Sequence, residues 1–241
     1  MSYAFNIAGY SAIIEAFLER GYTPIGYRDA IAGKALLLRH DIDISLDHAV
    51  RQAEINAGLG VFATFFFLIS AEQYNLVSAP GRDALAAVRA NGQRIGLHFD
   101  AALYPDDADL QARAAEECDI LATLAGTALE AVSFHRPVKA LQGLEGSFAG
   151  YPHAYEPRFF SGMEYCSDSR GRFHHGGPFE RAAFQNGAPF HLLTHPIWWM
   201  REPELSPIDA LLDFVAAREP HLRRNLADNC SPFADYLAEA R

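Results

Sequence analysis

Leu36-Leu37-Leu38-Arg39-His40-Asp41-Ile42-Asp43 decides how this chain is read. Three leucines in a row open a short buried strand, and the run then passes into residues that can do chemistry. Four more stretches repeat the form: Ile95-Gly96-Leu97-His98-Phe99-Asp100, Val132-Ser133-Phe134-His135-Arg136-Pro137, Tyr165-Cys166-Ser167-Asp168-Ser169, and Leu192-Leu193-Thr194-His195-Pro196. In α/β barrels the C-terminal strand ends converge on one face, and that face carries the active site. Five polar tips on separate strands are therefore expected to meet in space.

The rest of the chain supports the same architecture. Short apolar runs at Ala35–Leu38, Phe62–Ile69, Arg94–Leu97, Ala131–Phe134, Glu164–Cys166 and Phe190–Leu193 predict buried strands. Between them, helical spacing predicts helices over Ser11–Glu19, Leu46–Asn56 behind an N-cap at Ser45, Arg82–Ala90, Asp107–Leu124 and Ile208–Ala217. Alternating strands and helices imply a mainly parallel sheet with helices outside. The stretch Leu141–Pro157 reads as a loop insertion, so one α/β domain is expected over residues 1–241.

Composition narrows the function. The net charge is −10, from 30 acidic and 20 basic side chains, with no Lys/Arg run. That argues against a nucleic-acid partner and against docking on anionic lipid. The longest apolar run, Val61–Ile69, is too short to span a bilayer as a helix. Three widely spaced cysteines fit reduced thiols, and Met1–Asn6 does not resemble a signal peptide. The expected location is cytoplasmic. A Gly-rich phosphate loop and a Gly-x-Ser-x-Gly elbow are both missing from the sequence.

Asp41 and Asp43 sit one residue apart, so on a strand end both point to one side. Two adjacent carboxylates repel unless a cation or proton lies between them. A divalent metal resolves this, with one carboxylate as ligand and the other taking a proton from the water that is activated. An acidic cluster at the N-terminus of the helix after Ser45 is the alternative. His98 and His135 end neighbouring strands, as candidate metal ligands or as packed histidines. Arg136 is suited to holding a carboxylate by bidentate hydrogen bonds. His195 is a candidate general acid, with Asp168 to orient it. Trp198 and Trp199 follow directly, to stack on a sugar ring or to fill the core, and His175 lies in a loop that could touch substrate. His40 alternates with Asp41 and is expected to face the other way.

In this order the motifs resemble those of the polysaccharide deacetylases, the NodB-type carbohydrate esterases, from about Leu36 to Trp199. The resemblance implies a distorted (β/α)7-type barrel. It implies Asp41 as the base, Asp43 and His98 as metal ligands, and His195 as the general acid. The chain departs from the pattern where Ala102 stands four residues after His98 in place of a second histidine, and His135 is the replacement expected here. Val138 follows Pro137 where the family has an aromatic residue. The implied cofactor is a divalent metal, zinc (Zn2+) first. The implied substrate is an N-acetyl or N-formyl amino sugar, linked to nucleotide, lipid or glycan, as in assembly of a surface polysaccharide or lipopolysaccharide O-antigen. Two rivals stand beside it: an allantoinase-like hydrolase of a cyclic amide or ureide, and a non-catalytic sugar-binding relative.

Overall fold

The computed structural model describes residues 3–136, 138, 141 and 143–239. They fall into two compact units, Met1–Glu204 and Leu205–Arg241.

Among the described residues, the first unit carries seven strands. β1 spans Thr23–Ile25, β2 Ala35–Ile42, β3 Thr64–Phe67, β4 Arg94–Phe99, β5 Val132–Phe134, β6 Glu164–Ser167 and β7 Phe190–Thr194. Every pairing is parallel, and the order runs β5-β4-β3-β2-β7-β6. β1 pairs with the first half of β2 (Ala35–Leu37) and β3 with the second (Arg39–Ile42). The result is a curled parallel sheet, a half-barrel of the distorted (β/α) kind.

Parallel pairing needs crossovers, and capped helices between β2 and β5 supply them, with one more capped helix ahead of β1. α1 (Ile7–Glu19) is capped by Asn6, α2 (Leu46–Gly58) by Ser45, α3 (Ala79–Ala90) by Ser78 and α4 (Leu110–Ala125) by Asp109. In each case the side chain accepts from a backbone N–H in the first turn, one of the groups a helix start leaves unpaired. α4 ends on Gly126 at φ 62°, a left-handed position that suits glycine. Three short helices follow: α5 (Pro157–Phe160), α6 (Ala182–Asn186) and α7 (Pro196–Trp199).

β2 is buried along its whole length because both its faces are covered. It runs four residues past the leucines, through Arg39–Ile42, where ladders with β3 and β7 carry it. Its two faces differ sharply. His40 faces α1 and α2, where its ring meets Tyr10, Gln52, Asn56 and Thr194. Arg39 and Asp41 share the other face, inside the barrel. Gly96 allows β4 to approach closely: a Cβ there would lie 2.5 Å from the Phe66 ring and 2.7 Å from the Ala131 carbonyl.

The stretch expected as an insertion is a loop that partly joins the sheet. Tyr151 and Phe148 pair with each other, and Val132 forms a bridge with His153 beside β5. Gln142 in that stretch, and Pro137 before it, lie outside the described residues.

The second unit holds α8 (Pro207–Asn229) and α9 (Ser231–Glu239). Among the described residues no helix is long and apolar enough to cross a membrane.

Candidate active site and metal centre

The strand tips meet at the C-terminal ends of β2, β4, β5 and β7. β2 supplies Asp41 and, one residue past its end, Asp43. β4 supplies His98. His135 follows β5, held by its backbone N–H to the Phe99 carbonyl at 2.9 Å. His195 follows β7.

Three of these side chains point atoms at one spot. Asp43 Oδ1 lies 3.2 Å from His98 Nε2 and 3.4 Å from His135 Nδ1, and the two ring nitrogens are 3.3 Å apart. Among the described residues, this is the group of acidic and histidine side chains whose atoms could hold a metal ion. Ligands at about 2.0–2.1 Å on a tetrahedral ion stand roughly 3.3–3.4 Å from one another, so the triangle has the right size. A second observation agrees. Asp43 Oδ1 is buried and receives no hydrogen bond of good geometry from the described residues. Such an orphan is costly unless something else binds it. The donor set of two imidazoles and one carboxylate suits zinc and other first-row divalent ions.

Ser133, which pairs with His98 across β4 and β5, sits 2.6 Å from His98 Nδ1. A proton on Nδ1 donates to this hydroxyl and leaves the Nε2 lone pair aimed at the triangle, the tautomer a metal ligand requires. Ala102, at the place of the missing histidine, is exposed on a short 3-10 turn (Ala101–Leu103) that Asp100 caps.

Asp41 adjoins the triangle at one corner, its Oδ2 3.4 Å from His98 Nε2. Arg39 grips both its oxygens, Nε to Oδ1 at 2.8 Å and a terminal nitrogen to Oδ2 at 2.7 Å. Both residues are buried. Burial alone would raise the Asp41 pKa, but the guanidinium outweighs it and the net shift is downward. The arginine itself lies over the rings of Tyr155 (5.3 Å) and Phe66 (5.6 Å). Asp43 is likewise pulled well below the usual carboxylate range, because the approach of His135 and His98 and the charge of His195 overcome its burial. Both carboxylates are therefore anionic at neutral pH.

His195 Nε2 stands 3.6 Å from Asp43 Oδ2. Its Nδ1 is 2.5 Å from Asp168 Oδ1, and its backbone N–H donates to the same carboxylate at 3.0–3.1 Å. Asp168 is fully buried and accepts a third hydrogen bond from Trp199 Nε1 at 2.5 Å. Burial would lower the His195 pKa, but Asp168 more than compensates and pushes it up to about 9. His195 is thus a charged acid at neutral pH with Nε2 facing the site.

Other expected residues lie differently. The carboxylate held by Arg136 is Asp100, with Nε 3.0 Å from both oxygens, whereas Asp41 is held by Arg39. Trp199 must be corrected as a substrate-stacking residue. It has no exposed surface and stacks on Phe5 at 4.2 Å, so it supports Asp168 from within the core. Trp198 is 9% exposed and offers little more surface. His175 is exposed, and no described contact joins it to the cluster.

Sequence reading passed over Arg39 and Ser133. Arg39 did carry a signal, since it has the same strand parity as Asp41 and Asp43. Ser133 carried none, because its partnership with His98 is a matter of register between strands.

A cleft of about 420 Å³ opens beside the triangle, lined in part by Asp43, Leu68, Ser70, Gln73, His135 and Arg136.

No protein-family model matches the chain, and no curated protein matches it either. Solved structures do resemble it. One is a family 4 carbohydrate esterase from Bacillus anthracis, 18% identical, covering 92% of this chain and 94% of that one at a TM-score of 0.44. Another is the chitin deacetylase of the fungal pathogen Colletotrichum lindemuthianum, 17% identical over 81% and 86% at a TM-score of 0.44. A Streptococcus pyogenes deacetylase in complex with acetate is 15% identical over 85% and 84% at a TM-score of 0.43.

Proposed function

We propose that this protein is a metal-dependent N-deacylase of the polysaccharide deacetylase type, acting on an N-acylated amino sugar. One observation carries the reading: the triangle of Asp43 Oδ1, His98 Nε2 and His135 Nδ1 has an anionic Asp41 beside its His98 corner and a cationic His195 beside Asp43. Asp43, His98 and His135 would hold the ion, with zinc the first candidate. A bound ion of this kind supplies Lewis-acid activation of water and of the acyl carbonyl.

The protein's own groups account for the proton transfers. Asp41, with both oxygens fixed by Arg39, takes a proton from the attacking water. The water oxygen bonds to the acyl carbon, and the C–N bond breaks. His195 gives its Nε2 proton to the departing nitrogen, so the products are a carboxylate and a free amine. Asp168 stabilises the charged ring and fixes its orientation, the same service a buried aspartate gives in Ser-His-Asp triads. A sugar-binding module without catalysis has no need of this charged couple.

On this reading the substrate is an N-acetyl or N-formyl amino sugar linked to nucleotide, lipid or glycan, a precursor of a cell-surface polysaccharide or O-antigen. The test uses purified protein loaded with zinc and assayed on such sugars by amine release. Asp41→Asn is expected to abolish turnover while zinc stays bound. Turnover at the wild-type rate in that variant rejects the assignment.

A further inference from the structure

His40 is fully buried and stands outside the cluster of strand tips. It directly precedes Asp41, and Thr194, across from it on β7, directly precedes His195. The pair His40 and Thr194 is the last rung of the β2–β7 ladder. Beyond it the two strands part. β2 goes on beside β3, with Asp41 opposite Phe66 and Ile42 opposite Phe67. The other chain turns at Pro196 into α7. The base and the acid of the proposed reaction are therefore the first residues past a fork, one on each branch.

Side chains close this fork on the helix-covered face. His40 Nδ1 and Thr194 Oγ1 are hydrogen-bonded at 2.8 Å. Gln52 of α2 donates from Nε2 to the same hydroxyl at 3.0 Å. At the far end of the ring, Asn56 Nδ2 lies 3.1 Å and the Tyr10 hydroxyl 3.2 Å from His40 Nε2. That hydroxyl donates to Asn56 Oδ1 at 2.5 Å. All five residues are fully buried, and buried hydrogen bonds linked in this way hold side chains in one arrangement. The Tyr10 ring also lies 6.1 Å from that of Trp199, which donates to Asp168. Asp168, past the end of β6, sets the orientation of the His195 ring. The rung at His40 and Thr194 refers the same residue to the strand that carries Asp41.

We propose that His40 and Thr194 are positioning residues, which fix the acid His195 relative to the base Asp41. The proposal rests on the roles given to those two residues in the deacylation above.

Two pairs of substitutions in the full-length, zinc-loaded protein test it. Thr194→Val keeps the shape and removes the hydroxyl, whereas Thr194→Ser keeps the hydroxyl. In His40→Asn the amide reaches the place of Nδ1 and can bond Thr194 whichever partner carries the hydrogen, because an amide offers both a donor and an acceptor. In His40→Gln it reaches the place of Nε2 and misses Thr194. Thr194→Val and His40→Gln are expected to lower kcat by about 10–100-fold, with KM unchanged and zinc retained. Thr194→Ser and His40→Asn are expected to stay close to the wild-type rate.

The second readout needs no substrate. The His195 N–H donates to Asp168 at 3.0–3.1 Å, and Leu192 lies inside the ladders of β7 with β2 and β6. In zinc-free protein, hydrogen exchange at the His195 amide should quicken about tenfold more than at Leu192 in Thr194→Val and in His40→Gln. A general loss of stability would quicken both amides alike. Exchange at His195 in step with Leu192 overturns the proposal, as does wild-type kcat in Thr194→Val or equal kcat in His40→Asn and His40→Gln. A wild type that releases no amine overturns the deacylase reading instead, and the exchange comparison then still decides whether the rung fixes His195.

Discussion

Arg39 and Asp41, two residues apart on one strand, form a fully buried bidentate ion pair at 2.7–2.8 Å. Breaking such a pair leaves one charge uncompensated in the interior, at a cost of about 3–5 kcal/mol. Arg39→Met is therefore expected to lower the chemical-denaturation midpoint sharply. It should also reduce kcat by about 10²-fold or more, the usual contribution of a positioned general base. Arg39→Lys should recover charge but not the two-point grip, and so restore stability more than kcat. If Arg39→Met kept full kcat, Arg39 would have no part in positioning Asp41.

Metal retention should follow the triangle. His135→Ala is expected to lose stoichiometric zinc after dialysis, measured by atomic emission, while Ala102→His should not be needed for binding. Ser133→Ala removes the partner of His98 Nδ1 and should weaken zinc affinity by about 10–100-fold. The shift of Tm on adding zinc gives a second readout, since only the folded triangle binds the ion. Full zinc occupancy in His135→Ala would move the third ligand elsewhere.

The proposed acid makes a pH prediction. His195 must be protonated to serve, and its pKa stands at about 9. The basic limb of kcat/KM should therefore fall as pH rises through about 9. Asp168→Asn removes the charge that raises this value, so the limb should move toward 6.5 and kcat should drop. Trp199→Phe deletes one hydrogen bond to Asp168 and should produce the same change in weaker form. A basic limb that stays put in Asp168→Asn would detach it from His195.

Stability should also depend on pH through histidines away from the triangle. Burial lowers His40 and His191 to about 3, so both stay neutral in the folded protein. The unfolded chain takes up these protons near 6.5, and it then binds more protons than the native state. Stability should accordingly fall as pH drops from 6.5 toward 3, by up to about 1.4 kcal/mol per pH unit for each histidine. Denaturant titrations at pH 7, 6 and 5 measure the slope. His40→Gln should flatten it by one proton's share, and an unchanged slope would show that His40 is not the group titrating.

The sequence by itself determined the alternation of strands and helices, because apolar runs and caps such as Ser45 are local signals. It also determined that His and Asp stand at strand ends, since strand period and apolar runs are written in the chain. It could not determine how far β2 extends, because Arg39–Ile42 are strand through their ladders with β3 and, at Arg39 and His40, with β7. Tertiary structure alone decided which partner each polar tip takes. Arg136 and Arg39 are both suited to a carboxylate. Strand position gives Asp41 to Arg39, which stands beside it on the same face, and leaves Asp100 to Arg136. Trp199 is open in sequence either to stacking on a sugar or to filling the core, and packing decides for the core, behind Asp168. Pattern along a chain fixes which side of a strand a residue faces, whereas contact across strands depends on register and curl, which exist only once the sheet has closed.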